Sequence, residues 1–207
     1  MNPSETIIQN VTNIVSQRMA DQQAGHGFDH VRRVHRTACD IQAQTGGDRF
    51  VIELAALLHD VGDAKFHEGV ERSAEFSRQI LGDLPVDTPT IDHVAHIVDN
   101  LSFRKHDTAE ELSLEGKIVQ DADRLDALGA IGIVRTIEYG ATVGQPFHIA
   151  GHDPSDLNGP KTGAGHFYQK LFRLREMLHT DPARQIATER ERFMKTFLTQ
   201  FMSELAD

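Results

Sequence analysis

Histidines and aspartates gather in three short segments of the chain. The first is Gly25-His26-Gly27-Phe28-Asp29-His30-Val31-Arg32-Arg33-Val34. His26 and His30 are four apart and share a helix face if the helix begins early enough. The second is Leu54-Ala55-Ala56-Leu57-Leu58-His59-Asp60-Val61-Gly62-Asp63-Ala64-Lys65. The third is Ile118-Val119-Gln120-Asp121-Ala122-Asp123-Arg124-Leu125-Asp126. One His, one His-Asp pair and one Asp from three helices would supply two nitrogens and two oxygens. That set suits a borderline or hard divalent ion and leaves coordination positions open for water and substrate. Each segment also has an ordinary explanation: a capping His, a helix-end carboxylate, a solvated acidic face.

The middle segment carries the most weight. Val51, Ile52, Leu54, Ala55, Ala56, Leu57 and Leu58 make a helix that is apolar almost all round, and such a helix belongs in a core. It ends in His59-Asp60, with Gly62 placed to stop it as a C′ residue. A carboxylate there is disfavoured by burial and by the negative end of the helix dipole. A bound cation removes both objections, and the adjacent imidazole is itself a good metal ligand.

The elements that must position these groups read as helices. Residues 3–22 are amphipathic, with Ser4 as N-cap and Ile7, Val11, Ile14, Val15 and Met19 at helical spacing. A second helix runs from about Asp29 to Gln44 and ends at Gly46-Gly47. The His59-Asp60 helix follows from Asp48, and another covers roughly Glu68–Leu81. Pro85 and Pro89 punctuate the chain before a helix over Thr90–Asn100. Leu114–Ala141 is helical with a break. Residues 142–165 hold five glycines and three prolines, and a loop of that length is expected to be mobile and functional, near the mouth of the site. Helices over Gly165–Leu178 and Pro182–Leu205 close the chain. No strand-like alternation or repeat is present. The expectation is a single all-α domain over residues 1–207.

Composition narrows the function classes. Hydrophobic residues make up 39% and charged residues 25%, as in ordinary globular proteins. A formal net charge of -10 argues against a broad nucleic-acid-binding face, yet a small anionic substrate needs only a few local cations. The single cysteine, Cys39, excludes an internal disulfide and reads as a buried small hydrophobe in a helix. No signal peptide or membrane span is apparent, so the cytoplasm is the expected location. A homodimer is left open.

The order and spacing of His30, His59-Asp60 and Asp123 resemble those of the HD-domain superfamily of metal-dependent phosphohydrolases. The surrounding sequence is more specific: Asp29-His30 with Arg33-Val34, Leu57-Leu58-His59-Asp60-Val61-Gly62-Asp63 with Lys65-Phe66, and Ile118 through Ile133. Together with His166-Phe167-Tyr168-Gln169-Lys170-Leu171, it is similar to a branch of small stand-alone bacterial hydrolases that includes nucleotide pyrophosphohydrolases. The resemblance covers about residues 20 to 200. It implies an HD-type helical bundle with its metal site within residues 26–126. It also implies one divalent ion (Mn, Ni, Co, Mg, Fe or Zn) on His30, His59, Asp60 and Asp123.

The resemblance further implies catalytic help from Asp63, three positions after Asp60, where a carboxylate could orient or deprotonate water. Lys65 could meet a phosphate oxygen. His26, Arg33, His166 and Lys170 are the expected substrate contacts. One of Asp121 and Asp126 is expected to orient a metal-bound His, and Arg124 to be a structural partner. His93, His96, His148 and His152 receive no role.

Hydrolysis of a nucleoside triphosphate between the α and β phosphates is the implied reaction. A 5′-nucleotidase using the same site is the nearest alternative, and a non-enzymatic helical domain stapled by metal is another. Tyr139-Gly140-Ala141 is not the Gly-Tyr-Pro motif of the cyclic-dinucleotide branch, and the length leaves no room for alarmone-type regulatory domains.

Overall fold

The structure, a computed structural model, describes residues 2–20, 27–63, 67–101 and 110–205. All regular structure among them is helical: α1 (Pro3–Arg18), α2 (Phe28–Thr45), α3 (Arg49–Leu58), α4 (Ser73–Gly82), α5 (Thr88–Asn100), α6 (Leu114–Asp126), α7 (Gly129–Val143), α8 (Gly163–Gln169), a 3-10 helix (Leu171–Met177) and α9 (Asp181–Leu205). None of these helices is long and apolar enough to cross a membrane. The chain forms two compact units, Met1–Ala122 and Asp123–Asp207, with the division inside α6.

The first unit is built around α3, which packs against α1, α2 and α5. Its apolar circumference explains this, since Val51, Ile52, Leu54, Ala55, Ala56, Leu57 and Leu58 are all buried. Burial of each leucine contributes about 1.5–3 kcal/mol. The partner helices turn single stripes inward: Ile7, Val11 and Val15 from α1, and His30, Val31, Val34, Ala38 and Ile41 from α2.

Helix ends follow local chemistry. Asn2, not Ser4, caps α1: its side chain accepts from the Ser4 amide at 3.3 Å, and its own amide donates to Glu5 Oε2 at 3.1 Å. This reciprocal pair satisfies two otherwise orphaned donors. Gly46 and Gly47, at φ 80° and 91°, make the turn between α2 and α3, and Asp48 Oδ1 caps α3 by accepting from Phe50 and Val51. Helix α4 starts at Ser73 and not at Glu68, because Glu68 has φ 53° and Gly69 φ 86°, neither compatible with a helix.

Gly62 is not a left-handed C′ residue. Helix α3 ends at Leu58, His59 keeps right-handed helical angles, and the chain continues through tight turns with Val61 N–H to Leu58 O and Asp63 N–H to Asp60 O, both 3.2 Å. What requires glycine is proximity. A Cβ at position 62 would lie 2.6 Å from the Arg72 carbonyl carbon and from the Ser73 nitrogen. The Gly62 amide donates to Ser73 Oγ at 3.1 Å, and Arg72 N–H donates to Gly62 O at 2.9 Å. The turn after His59-Asp60 is thereby clamped to the start of α4.

In the second unit, α9 packs on α7 and on the 3-10 helix. The expected break in the long helical stretch falls at Ala127-Leu128, between α6 and α7. The expected helix over Gly165–Leu178 is α8 followed by the 3-10 helix. The glycine- and proline-rich segment narrows to 144–162 and is tied down at both ends. Gly163 and Ala164 donate to Pro146 O and Phe147 O at 3.0 and 2.9 Å. The Phe147 ring sits edge-on to Phe167, Phe197 and Phe201, with centroids 5.9, 6.0 and 5.0 Å away.

Candidate metal centre

Helices α2 and α3 bring His30 and His59 together across 29 residues of sequence, with their Nε2 atoms 3.2 Å apart. Both rings are buried. Asp60, in the turn that follows, lies 3.6 Å from each: Oδ2 to His30 Nε2 and Oδ1 to His59 Nε2. Its side chain is 19% exposed, so the cluster opens to solvent on the carboxylate side.

The orientation of His59 is fixed from behind. Its Nδ1 lies 2.8 Å from the carbonyl oxygen of Ala56, one of the last four carbonyls of α3. A carbonyl only accepts, so Nδ1 carries the proton, and in the neutral ring Nε2 is a bare lone pair aimed at His30 and Asp60. Backbone restraint of the far ring nitrogen is the usual support of a metal-bound imidazole.

These three residues fit a divalent ion. Bonds of about 2.0–2.2 Å to nitrogen and oxygen place neighbouring ligand atoms roughly 3.0–3.6 Å apart for right-angle to tetrahedral geometry. The 3.2 and 3.6 Å separations fall in that range. Two neutral imidazoles and one carboxylate would hold the ion from one side.

The other expected residues have the following places. Asp63 is half-buried and three residues beyond Asp60 in the clamped turn. Arg33 is half-buried on α2, one turn after His30. His26 and Lys65 lie outside the described residues. Asp123 is a half-buried residue of α6 in the second unit. In the same unit, His166 lies on α8, and the exposed Lys170 follows that helix as its C-cap. Burial, and then the Lys170 charge, hold the His166 imidazole below its ordinary value.

Neighbouring carboxylates, Arg124 and two histidines take the following places. Asp121 is fully buried. Asp126 receives Arg135 Nη1 at 2.8 Å, an ion pair between α6 and α7. Arg124 is structural, donating to the Met177 carbonyl and lying 3.4 Å from His179 Nε2. His93 and His96 tie α5 to the segment before α6, with Nε2 atoms 2.9 Å from Ser113 Oγ and 3.4 Å from Glu111 O. Cys39 is half-buried and donates to Glu53 Oε1 at 3.6 Å, so it is not the buried small hydrophobe expected. His35, Cys39 and Glu53 form a second group of metal-ligand types on the α2–α3 pair. The signal missed in the sequence was His35 four residues before Cys39, which places both on one helix face.

Comparison with known proteins agrees with this architecture. The profile of the family described as HD domain matches residues 27–128. The YpgQ protein of Bacillus subtilis is 39% identical over 194 residues, spanning 92% of this chain and 90% of that protein. Its structure, solved in complex with ADP, superposes with a TM-score of 0.79 over 98% of this chain and 96% of that one, with 32% identity over the longer structural alignment. An HD-superfamily hydrolase from Bacillus thuringiensis superposes with a TM-score of 0.81 and 39% identity over 98% of both chains. The chain belongs to the HD-domain superfamily of metal-dependent phosphohydrolases.

Proposed function

We propose that the protein hydrolyses nucleoside triphosphates between the α and β phosphates, releasing pyrophosphate, with His30, His59, Asp60 and Asp123 as the ligands of one divalent ion. The observation that carries the reading is the convergence of His30 Nε2, His59 Nε2 and the Asp60 carboxylate at 3.2–3.6 Å, with His59 locked by the Ala56 carbonyl. Asp123 is included on the family resemblance. Four protein ligands leave a six-coordinate ion two positions for water and substrate. When bound, the ion supplies Lewis-acid activation of water and of a phosphoryl oxygen.

The chain's own residues then divide the work. Asp63, held in the turn clamped to α4, orients the attacking water and accepts its proton. Lys65, His26, Arg33, His166 and Lys170 neutralise the phosphate chain and favour the charge that develops on its oxygens. The ADP bound by the related Bacillus subtilis protein supports a nucleotide with a phosphate chain as the ligand class.

The test is a screen of metal-stripped protein with Mn, Ni, Co, Mg, Fe and Zn against a nucleotide panel, measuring pyrophosphate and phosphate separately. Pyrophosphate from triphosphates is the expected product. Phosphate from monophosphates would identify a 5′-nucleotidase using the same site. No turnover with any metal, despite stoichiometric binding, would leave a metal-stapled binding domain.

A further inference from the structure

We propose that His35, Cys39 and Glu53 form a second metal site, one for a zinc-like divalent ion that accepts sulfur, nitrogen and oxygen ligands together. The three residues offer one ligand atom each, all within 4.8 Å of one another, from two helices that already pack together. Cys39 Sγ lies 3.6 Å and His35 Nε2 3.8 Å from Glu53 Oε1. Tetrahedral zinc with bonds of about 2.3 Å to sulfur and 2.0–2.2 Å to nitrogen and oxygen needs separations of roughly 3.3–3.6 Å. Small side-chain rotations close the remaining gap.

A separate observation points to a ligand. His35 Nε2 is enclosed yet makes no hydrogen bond. Its 3.8 Å approach to Glu53 is too long for one. Buried polar atoms without partners are rare, and an ion on this nitrogen would satisfy it. Burial, and then the Glu53 carboxylate, push the Cys39 thiol up to about 11, and burial holds the His35 imidazole below its ordinary value. On binding, the ion takes the Cys39 sulfur as thiolate, and the thiol proton leaves to solvent. Arg49, 3.3 Å from Glu53 Oε1 and 61% exposed, swings into water as the ion replaces it.

This site is distinct from the first. His35 is five residues beyond His30 on α2, about 7.5 Å of helix rise and roughly 140° around the axis. Its ligands are a thiol, an imidazole and one carboxylate, where the first site has no sulfur. An ion here would pin α2 to α3 and brace the frame that positions His30 and His59.

The single cysteine makes the test unambiguous, since any thiolate-metal band must come from Cys39. Metal-stripped full-length protein is titrated with cobalt(II), with binding followed by equilibrium dialysis and absorbance, and zinc(II) is then used to displace it. The wild type is expected to bind two equivalents, one of which produces a thiolate-to-cobalt charge-transfer band that zinc abolishes. Cys39→Ser should lose that band and that equivalent. His35→Gln and Glu53→Gln should each weaken it at least tenfold. His59→Ala should lose the other equivalent and keep the band, so that failure of the first site is told apart from failure of the second. A wild-type protein with no charge-transfer band would overturn the proposal. So would a band that keeps its affinity in both His35→Gln and Glu53→Gln, because the thiolate would then bind metal without its neighbours.

Discussion

His59 Nδ1–H donates a hydrogen bond to the carbonyl oxygen of Ala56, three residues back, at 2.8 Å. One contact does two things: it satisfies an end-of-helix acceptor and turns the Nε2 lone pair toward His30 and Asp60. The centre therefore depends on the ring and on the place where α3 stops. Replacement of His59 by Ala is expected to leave the helical content intact and to lower metal affinity by at least about tenfold to a hundredfold, the range found even for residues that only support a ligand. Elemental analysis after dialysis against limiting metal measures it. Metal retention equal to wild type would remove His59 from the centre.

Asp60 and Asp63 sit in the same clamped turn but are given different work. Asp60→Asn should lose metal and rate together, with excess metal restoring part of the rate. Asp63→Asn should keep its metal and lose roughly 10²–10⁴-fold in turnover, the usual worth of a general acid or base. Near wild-type turnover in Asp63→Asn would reduce it to a surface carboxylate. Loss of metal as complete as in Asp60→Asn would make it a ligand.

Gly62 is expected to be intolerant of any side chain. A Cβ placed 2.6 Å from the backbone of Arg72 and Ser73 forces the turn off α4. Gly62→Ala should cost about 1–3 kcal/mol, typical of overpacking, read as a lower urea midpoint at unchanged slope. Because the same turn carries Asp60, metal affinity should fall with it. An unchanged midpoint would show that the clamp yields freely.

The Asp126–Arg135 pair is read as a structural bond between α6 and α7. Asp126 is 4% exposed, so Arg135→Met takes a cationic partner away from a buried carboxylate. The expected cost is roughly 2–3 kcal/mol, below that of a fully buried pair because Arg135 is partly exposed. Metal content per folded molecule should be unchanged; a selective loss of metal would instead link Asp126 to the centre.

His166 should give the protein an acid-sensitive limb. Its folded pKa lies below the ordinary value of 6.5, so the unfolded chain binds its proton first as pH falls. The unfolded state then holds more protons, and stability rises with pH in this window. The neutral-ring contribution is fully present above 6.5 and is lost as pH drops through the unfolded value toward the folded one. Urea midpoints between pH 7.5 and 5 should show a shallower decline for His166→Gln than for wild type. Parallel curves would exclude the effect.

The sequence by itself determined what depends on near neighbours. The apolar circumference of Val51–Leu58 marked α3 as the central helix, and Gly46-Gly47 followed by Asp48 marked the turn and cap before it. The motifs around His30, His59-Asp60 and Asp123 pointed to the HD superfamily, because ligand types at fixed spacing survive as a pattern in one dimension. Tertiary structure decided what depends on how helices cross. Gly62 looked like a helix stop and is a point of backbone contact with α4. Asp126 was one of two candidates to orient a metal-bound His, and it pairs with Arg135 on the next helix. Cys39 passed for a core residue until Glu53, on the next helix, was found beside it. The reason is common to all three. Periodicity fixes which face of a helix a residue occupies, but the partner on that face is set by the packing of another helix, far along the chain.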